Sequence, residues 1–167
     1  MARRCKTNDF KEIINKERAQ IKNFNITTDI IVGFPGETDS EFRGTLKLME
    51  LVGFDNSYMF SYSPRPGTPA SELEDDVSEL EKRDRLQETI KLQKEITSRN
   101  GLRYVGQKVN ILIEEVTTRN GANFKGRTPH YWMVNCKGGK DRFQPGDQVE
   151  VLVKDHKGHV LVGSCIN

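Results

Sequence analysis

Two segments with strand character, Ile26 to Phe34 and about Ser57 to Tyr62, are each followed by a proline–glycine loop and then by a helical pattern. Successive strand–loop–helix units imply a parallel sheet joined by right-handed crossovers. Residues 1–101 supply only two such strands, and a two-stranded parallel sheet does not stand alone. The chain therefore pairs with another copy or is the last piece of a larger α/β barrel, and the second is simpler. A complete (β/α)8 barrel takes about 250 residues, more than the 167 of this chain.

The local signals fill in the elements. Residues 7–21 read as a helix that Thr7 can cap, with Phe10, Ile13, Ile14 and Ile21 on one face. A polar link from Lys22 to Asn25 leads into the first strand, which reads as buried because it is β-branched and nearly continuously apolar. Thr38 and Glu41 have capping-box spacing, Phe42, Leu46, Met49 and Val52 line one side of the next helix, and Gly53 stops it. After the second strand, Ser63-Pro64-Arg65-Pro66-Gly67-Thr68-Pro69 forbids regular structure. A long helix follows from a second capping-box pattern, Ser78 to Glu81, with Leu86/Ile90 and Leu92/Ile96 as its spaced apolar pairs, until Asn100-Gly101 ends it.

Beyond Gly101 the period changes from helical to alternating. Val105 to Val116, Met133 to Cys136, Gln148 to Val153 and His159 to Gly163 read as short strands between glycine turns. About 65 residues of this kind make a small OB-like β-barrel. The expected organisation is α/β plus small all-β, with domains at 1–101 and 102–167. Charge divides likewise: residues 1–101 carry 16 Lys and Arg against 18 Asp and Glu, and residues 102–167 carry 10 against 6. The basic third is the part suited to a polyanion, although such an excess is also ordinary surface.

No apolar run approaches the roughly 18 residues of a membrane span, and no apolar stretch follows the basic Met1-Ala2-Arg3-Arg4 start, so no membrane or secretory segment is expected. Cys5, Cys136 and Cys165 are scattered. They read as free thiols of a reducing cytoplasm, with neither disulfide nor metal spacing.

Ligands of parallel α/β folds bind at the carboxyl ends of strands. Gly33-Phe34-Pro35-Gly36-Glu37-Thr38 and Tyr62 to Thr68 fall at such ends and would share a rim. The helix start near Thr38 offers N–H groups to an anion; alternatively the loop is only a tight connection. Asp29, an acid inside an apolar strand, needs a partner, either within the protein or as a ligand hydroxyl. Arg65, between two prolines, suits an anion or a stack on Tyr62. In the basic third, Arg119, Lys125, Arg127, His130, Tyr131 and Trp132 mix charge with rings, as single-stranded nucleic acid requires. Trp132 can equally plug the barrel. Glu74-Asp75-Asp76 reads as a solvated acidic loop.

At these residues the chain resembles the radical-SAM methylthiotransferases. The resemblance rests on Thr28 to Thr38, on Gly53-Phe54-Asp55, on Tyr62 to Ala70, and on Asp75-Asp76-Val77 with the helix near Lys82-Arg83. Gly126-Arg127-Thr128 and Val134-Asn135 resemble the family's TRAM module, a small RNA-binding β-barrel. The resemblance implies the C-terminal portion of a radical-SAM (β/α) barrel followed by TRAM. The arginine of Arg65-Pro66-Gly67-Thr68 is similar to the tRNA-modifying members, above all those that add a methylthio group at C2 of N6-isopentenyladenosine beside the anticodon. Members acting on threonylcarbamoyladenosine or on a ribosomal protein are the alternatives.

What the resemblance implies for chemistry is S-adenosylmethionine used both as methyl donor and as radical source, with two 4Fe-4S clusters. Asp29, Gly33, Pro35, Gly36 and Glu37 match the cofactor side. Tyr62 and Arg65 match the substrate rim, and Lys125, Arg127, Thr128 and Tyr131 the RNA side. The family's CxxxCxxC and its further three N-terminal cysteines are not in this sequence. The chain is therefore expected to be inactive alone, to need the missing N-terminal part of the same enzyme, to bind a tRNA anticodon stem-loop, and to self-associate through an exposed sheet edge. A binding module that has lost catalysis, or a barrel that only closes the larger one, are the competing expectations.

Overall fold

The computed structural model describes residues 7–21, 23–117, 123–138 and 142–166. They form two compact units that divide between Ile96 and Thr97, inside a continuous helix.

The first unit runs α1 (Thr7–Gln20), β1 (Thr27–Val32), α2 (Asp39–Val52), β2 (Asn56–Ser61), a 3-10 turn (Pro69–Glu72) and the start of α3 (Glu79–Leu102). β1 and β2 pair in parallel, Asp29 opposite Tyr58 and Ile31 opposite Phe60. Alternation sends Ile30 and Val32 into a core with Phe42, Met49, Val52 and Ile96. The other face stays open: Asp29 is exposed, and Ile31, Tyr58 and Phe60 are 38%, 60% and 54% exposed. The strand read as buried is thus covered on one side only, and Asp29 needs no buried partner. In α1, Ile14 is buried while Ile13 faces outward, as does Ile21 just beyond the helix.

α2 begins and ends as its sequence dictates. The Thr38 hydroxyl accepts from the Glu41 amide, and the Glu41 carboxylate accepts from the Thr38 amide at 2.9 Å. Gly53 closes the helix in the left-handed conformation. α3 is less conventional. It runs through Asn100-Gly101 to Leu102, and its buried stripe is mostly polar: Lys82, Arg85, Thr89, Gln93, Ile96 and Thr97. Spacings of three and four put them on one face. Each polar member has work: Thr89 bonds the Arg85 carbonyl, and Gln93 accepts from Ser57 and donates to the Phe54 carbonyl.

The second unit is a closed barrel of β3 (Lys108–Thr117), β4 (Asn123–Arg127), β5 (Met133–Lys137), β6 (Gln148–Lys157) and β7 (Val160–Cys165), ordered β3-β4-β5-β7-β6. All pairs are antiparallel except β5–β7. Ile111, Ile113, Val134, Cys136, Val151 and Val153 alternate inward, with Trp132 and Tyr104 filling the core. Trp132 is therefore the plug, 3% exposed, and does not stack on a ligand. β4 is a strand that the sequence pattern does not announce. Gly126 is required there because a Cβ would run into the Leu112 carbonyl of β3.

Candidate nucleic-acid interface

The loop after β1 is closed on itself. Gly33 is at φ +70°, directly over Lys82, where a Cβ would overlap the lysine side chain. Its amide donates to Glu37 Oε2 at 2.6 Å, and the same oxygen meets Arg85 at 2.7 Å. Arg85 also donates to the Glu37 carbonyl and pairs with Glu81. The Gly36 amide donates to Asp76 at 2.7 Å, and Pro35 lies between these two fixed glycines. Asp75 and Glu79 hold the buried ammonium of Lys82 at 2.6 and 2.8 Å. Burial alone would lower that ammonium, but its bonds to Asp75 and Glu79 outweigh it, and its pKa lies above the ordinary lysine value.

This geometry corrects four expectations. The Asp75-Asp76 stretch is not merely solvated; it fastens the loop. The start of α2 is already capped, since Thr38 bonds hold the Glu41 carboxyl below its usual pKa. Only half of the expected second capping box forms: the Glu81 amide donates to the Ser78 hydroxyl oxygen, but the Glu81 carboxylate goes to Arg85. Tyr62 is also inward: it is 9% exposed, its hydroxyl donates to the Ala70 carbonyl at 2.8 Å, and its ring sits edge-on to Phe34. Arg65 alone of that loop's expected contacts is exposed. Among the expected cofactor residues, Asp29 is the acid left open, beside Ile31.

On the barrel, Lys125 and Arg127 are two residues apart on β4 and share its outer face. Each has an acid on β3: Lys125 meets Glu115 at 2.6 Å, and Arg127 meets Glu114 at 2.9 Å. These acids were not foreseen, because they are found only once β4 is aligned with β3. The Arg127 guanidinium lies 5.9 Å from the centre of the Tyr131 ring. Tyr131 is 74% exposed and sits at φ +64°. Its turn is held by three bonds: Tyr131 N–H to Thr128 C=O, Thr128 N–H to Trp132 C=O, and Trp132 N–H to the Thr128 hydroxyl. Thr128, 4% exposed, is thus a clamp for the turn, with its hydroxyl already used. Arg119 lies outside the described residues.

Two depressions flank this strand. One, of about 600 Å3, is bounded by Leu112, Glu114, Arg127 and Tyr131. The other, of about 570 Å3, is bounded by Lys125, Asn135, Lys137 and Lys157, with Glu115 and Asp155.

The family model that matches this barrel, over residues 102–166, is that of the TRAM domain. Residues 102–166 form a TRAM domain. The closed five-stranded barrel above is its OB-like architecture. Beyond the barrel, similarity to known proteins extends over nearly the whole chain. Proteins named tRNA-2-methylthio-N(6)-dimethylallyladenosine synthase from Bacillus velezensis and Bacillus subtilis are 40% and 38% identical over 98% and 99% of this chain. One of the same name from Nitrosospira multiformis is 39% identical over 95%. The chain spans about a third of the length of these relatives (32%, 32% and 33%).

The described residues do not fit an iron–sulfur cluster. Among the described residues, no three His, Cys, Asp or Glu side chains converge as a metal site. Cys136 is buried in the TRAM core, where desolvation, with a smaller contribution from Cys165, pushes its thiol up to about 12, away from the thiolate that a cluster needs. No helix among the described residues is long and apolar enough to cross a membrane.

Proposed function

We propose that this chain is the C-terminal portion of a cytoplasmic radical-SAM tRNA methylthiotransferase, and that its TRAM domain holds the anticodon stem-loop of the substrate. The observation that carries the reading is the outer face of β4, where Lys125 and Arg127 stand side by side next to the exposed ring of Tyr131. Cations serve the phosphates and the ring serves a base. The likeness to enzymes named for 2-methylthio-N(6)-dimethylallyladenosine supports C2 of N6-isopentenyladenosine as the modified position.

The first unit supports a place in a larger barrel. Its sheet leaves Ile31, Tyr58 and Phe60 open on one face, the face that the lumen of a (β/α) barrel would enclose. Asp29 on that face would meet the nucleoside of S-adenosylmethionine, which supplies the methyl group and the radical when bound. Gly33, Pro35, Gly36 and Glu37 would shape the wall beside it, and Arg65 the rim toward the RNA. The clusters would take their ligands from other residues than these, so the chain alone would not turn over and would self-associate through the open sheet.

The test is binding of unmodified and isopentenylated tRNA across a salt series, followed by methylthiolation by a longer form that spans the relatives' full length. Salt-sensitive binding by the chain, with turnover by the longer form only, is expected. No binding at low salt would overturn the role of the barrel. Binding by the chain without turnover by the longer form would favour a module that keeps RNA and has lost catalysis.

A further inference from the structure

The depression bounded by Tyr131 is built differently from a phosphate track. Its charged lining is one cation, Arg127, and one carboxylate, Glu114, already joined at 2.9 Å. Its other lining residues include an exposed aromatic ring, an exposed Leu112, and the amide side chains of Asn110 and Gln148. Both amides are exposed, and Leu112 is the β3 residue that pairs with Arg127 on one side and Gln148 on the other. The ring, the leucine and the amide of Gln148 therefore flank a single cross-strand row. A volume of about 600 Å3 is in the range of small-ligand sites, roughly 300–1,000 Å3.

Tyr131 supplies the second observation. A bulky side chain at φ +64° is strained, and the turn holds it there with three hydrogen bonds. That arrangement does not bury the ring. It presents it, with Arg127 near and most of its surface open.

We propose that this depression is a subsite for one unpaired nucleobase, stacked on Tyr131, with Asn110 and Gln148 facing its hydrogen-bonding edge. Stacking needs a π-face and amides pair with donor and acceptor edges alike, whereas a backbone phosphate would meet Glu114. The phosphates on either side of that base go to Arg127 and to the lysines of the neighbouring depression. The inference rests on the RNA-holding role of the TRAM domain and adds that this barrel discriminates single strands from duplexes.

The variant that tests it is Tyr131→Gly. Glycine accepts the positive φ without strain, so the turn stays while the ring is lost. Binding of a short single-stranded oligoribonucleotide and of the same sequence as a blunt duplex is measured by fluorescence anisotropy over a salt series. Expected are tighter binding of the single strand, a loss of about tenfold for it in Tyr131→Gly, and an unchanged salt slope, because no phosphate contact is removed. Tyr131→Phe should bind as the parent does. Equal binding of strand and duplex, or no loss in Tyr131→Gly, would overturn the subsite while leaving the RNA role intact. Absence of binding by the parent protein to either RNA would instead remove the reading on which the subsite rests.

Discussion

The ammonium of Lys125 meets the Glu115 carboxylate at 2.6 Å, across paired positions of β4 and β3. Both side chains are about half exposed, so the pair contributes little stability, about 0–1 kcal/mol. A phosphate arriving at Lys125 must displace or repel this carboxylate. Glu115→Gln should therefore raise tRNA affinity by about two- to fivefold, read by anisotropy at fixed salt. Weaker binding in this variant would mean that Glu115 positions the lysine and does not compete with RNA.

Lys125 and Arg127 are assigned to phosphates, so their loss should act on every sequence alike. Lys125→Ala and Arg127→Ala should each lower the slope of log K against log salt by about 1. A variant that weakens binding with no change of slope would show that its side chain acts through the fold.

Arg85 is nearly buried, and its partner Glu37 is 12% exposed. Removing one member of such a pair leaves a buried charge without its counterion, at a cost of about 3–5 kcal/mol. Arg85→Ala should show that loss in urea unfolding followed on residues 1–96, with the barrel's transition unmoved. A loss under 1 kcal/mol would mean that Glu37 finds solvent when released.

Cys136 and Cys165 should differ in reactivity. In a Cys5→Ser background, a thiol reagent at mildly alkaline pH should modify Cys165 and reach Cys136 only on unfolding, since burial keeps Cys136 protonated. The same shift has a pH signature. The folded pKa, about 12, lies above the ordinary thiol value of 9.0, so its stabilising contribution is whole below pH 9 and is lost as pH rises toward 12. Two rapidly reacting thiols would contradict the burial.

Much of this fold was legible where short-range chemistry decides it. Thr38, Glu41 and Gly53 mark both ends of α2, and alternation marks Ile111 and Ile113 as inward. β4 was not legible, because Asn-Phe-Lys-Gly-Arg holds one apolar residue and a glycine whose reason is the backbone of β3. Asp29 was misread as buried, since an apolar run does not reveal that only one face of its sheet is covered. The polar stripe of α3 was hidden for the opposite reason: Lys82, Arg85 and Gln93 are buried by partners far away in the chain. Of the barrel's expected contacts, Lys125, Arg127 and Tyr131 lie together, while Thr128 serves the turn that carries Tyr131.

The bond from the Gly33 amide to Glu37, and from Glu37 to Arg85, ties a surface loop to the second turn of a long helix. Such a loop cannot open by itself. For the Gly33 amide to exchange its hydrogen with water, Glu37 must let go, and Arg85 of α3 then keeps only Glu81 of its two carboxylate partners. In an exchange experiment the Gly33 amide would keep time with the helix and not with its solvent-facing neighbours, making loop and helix a single cooperative block.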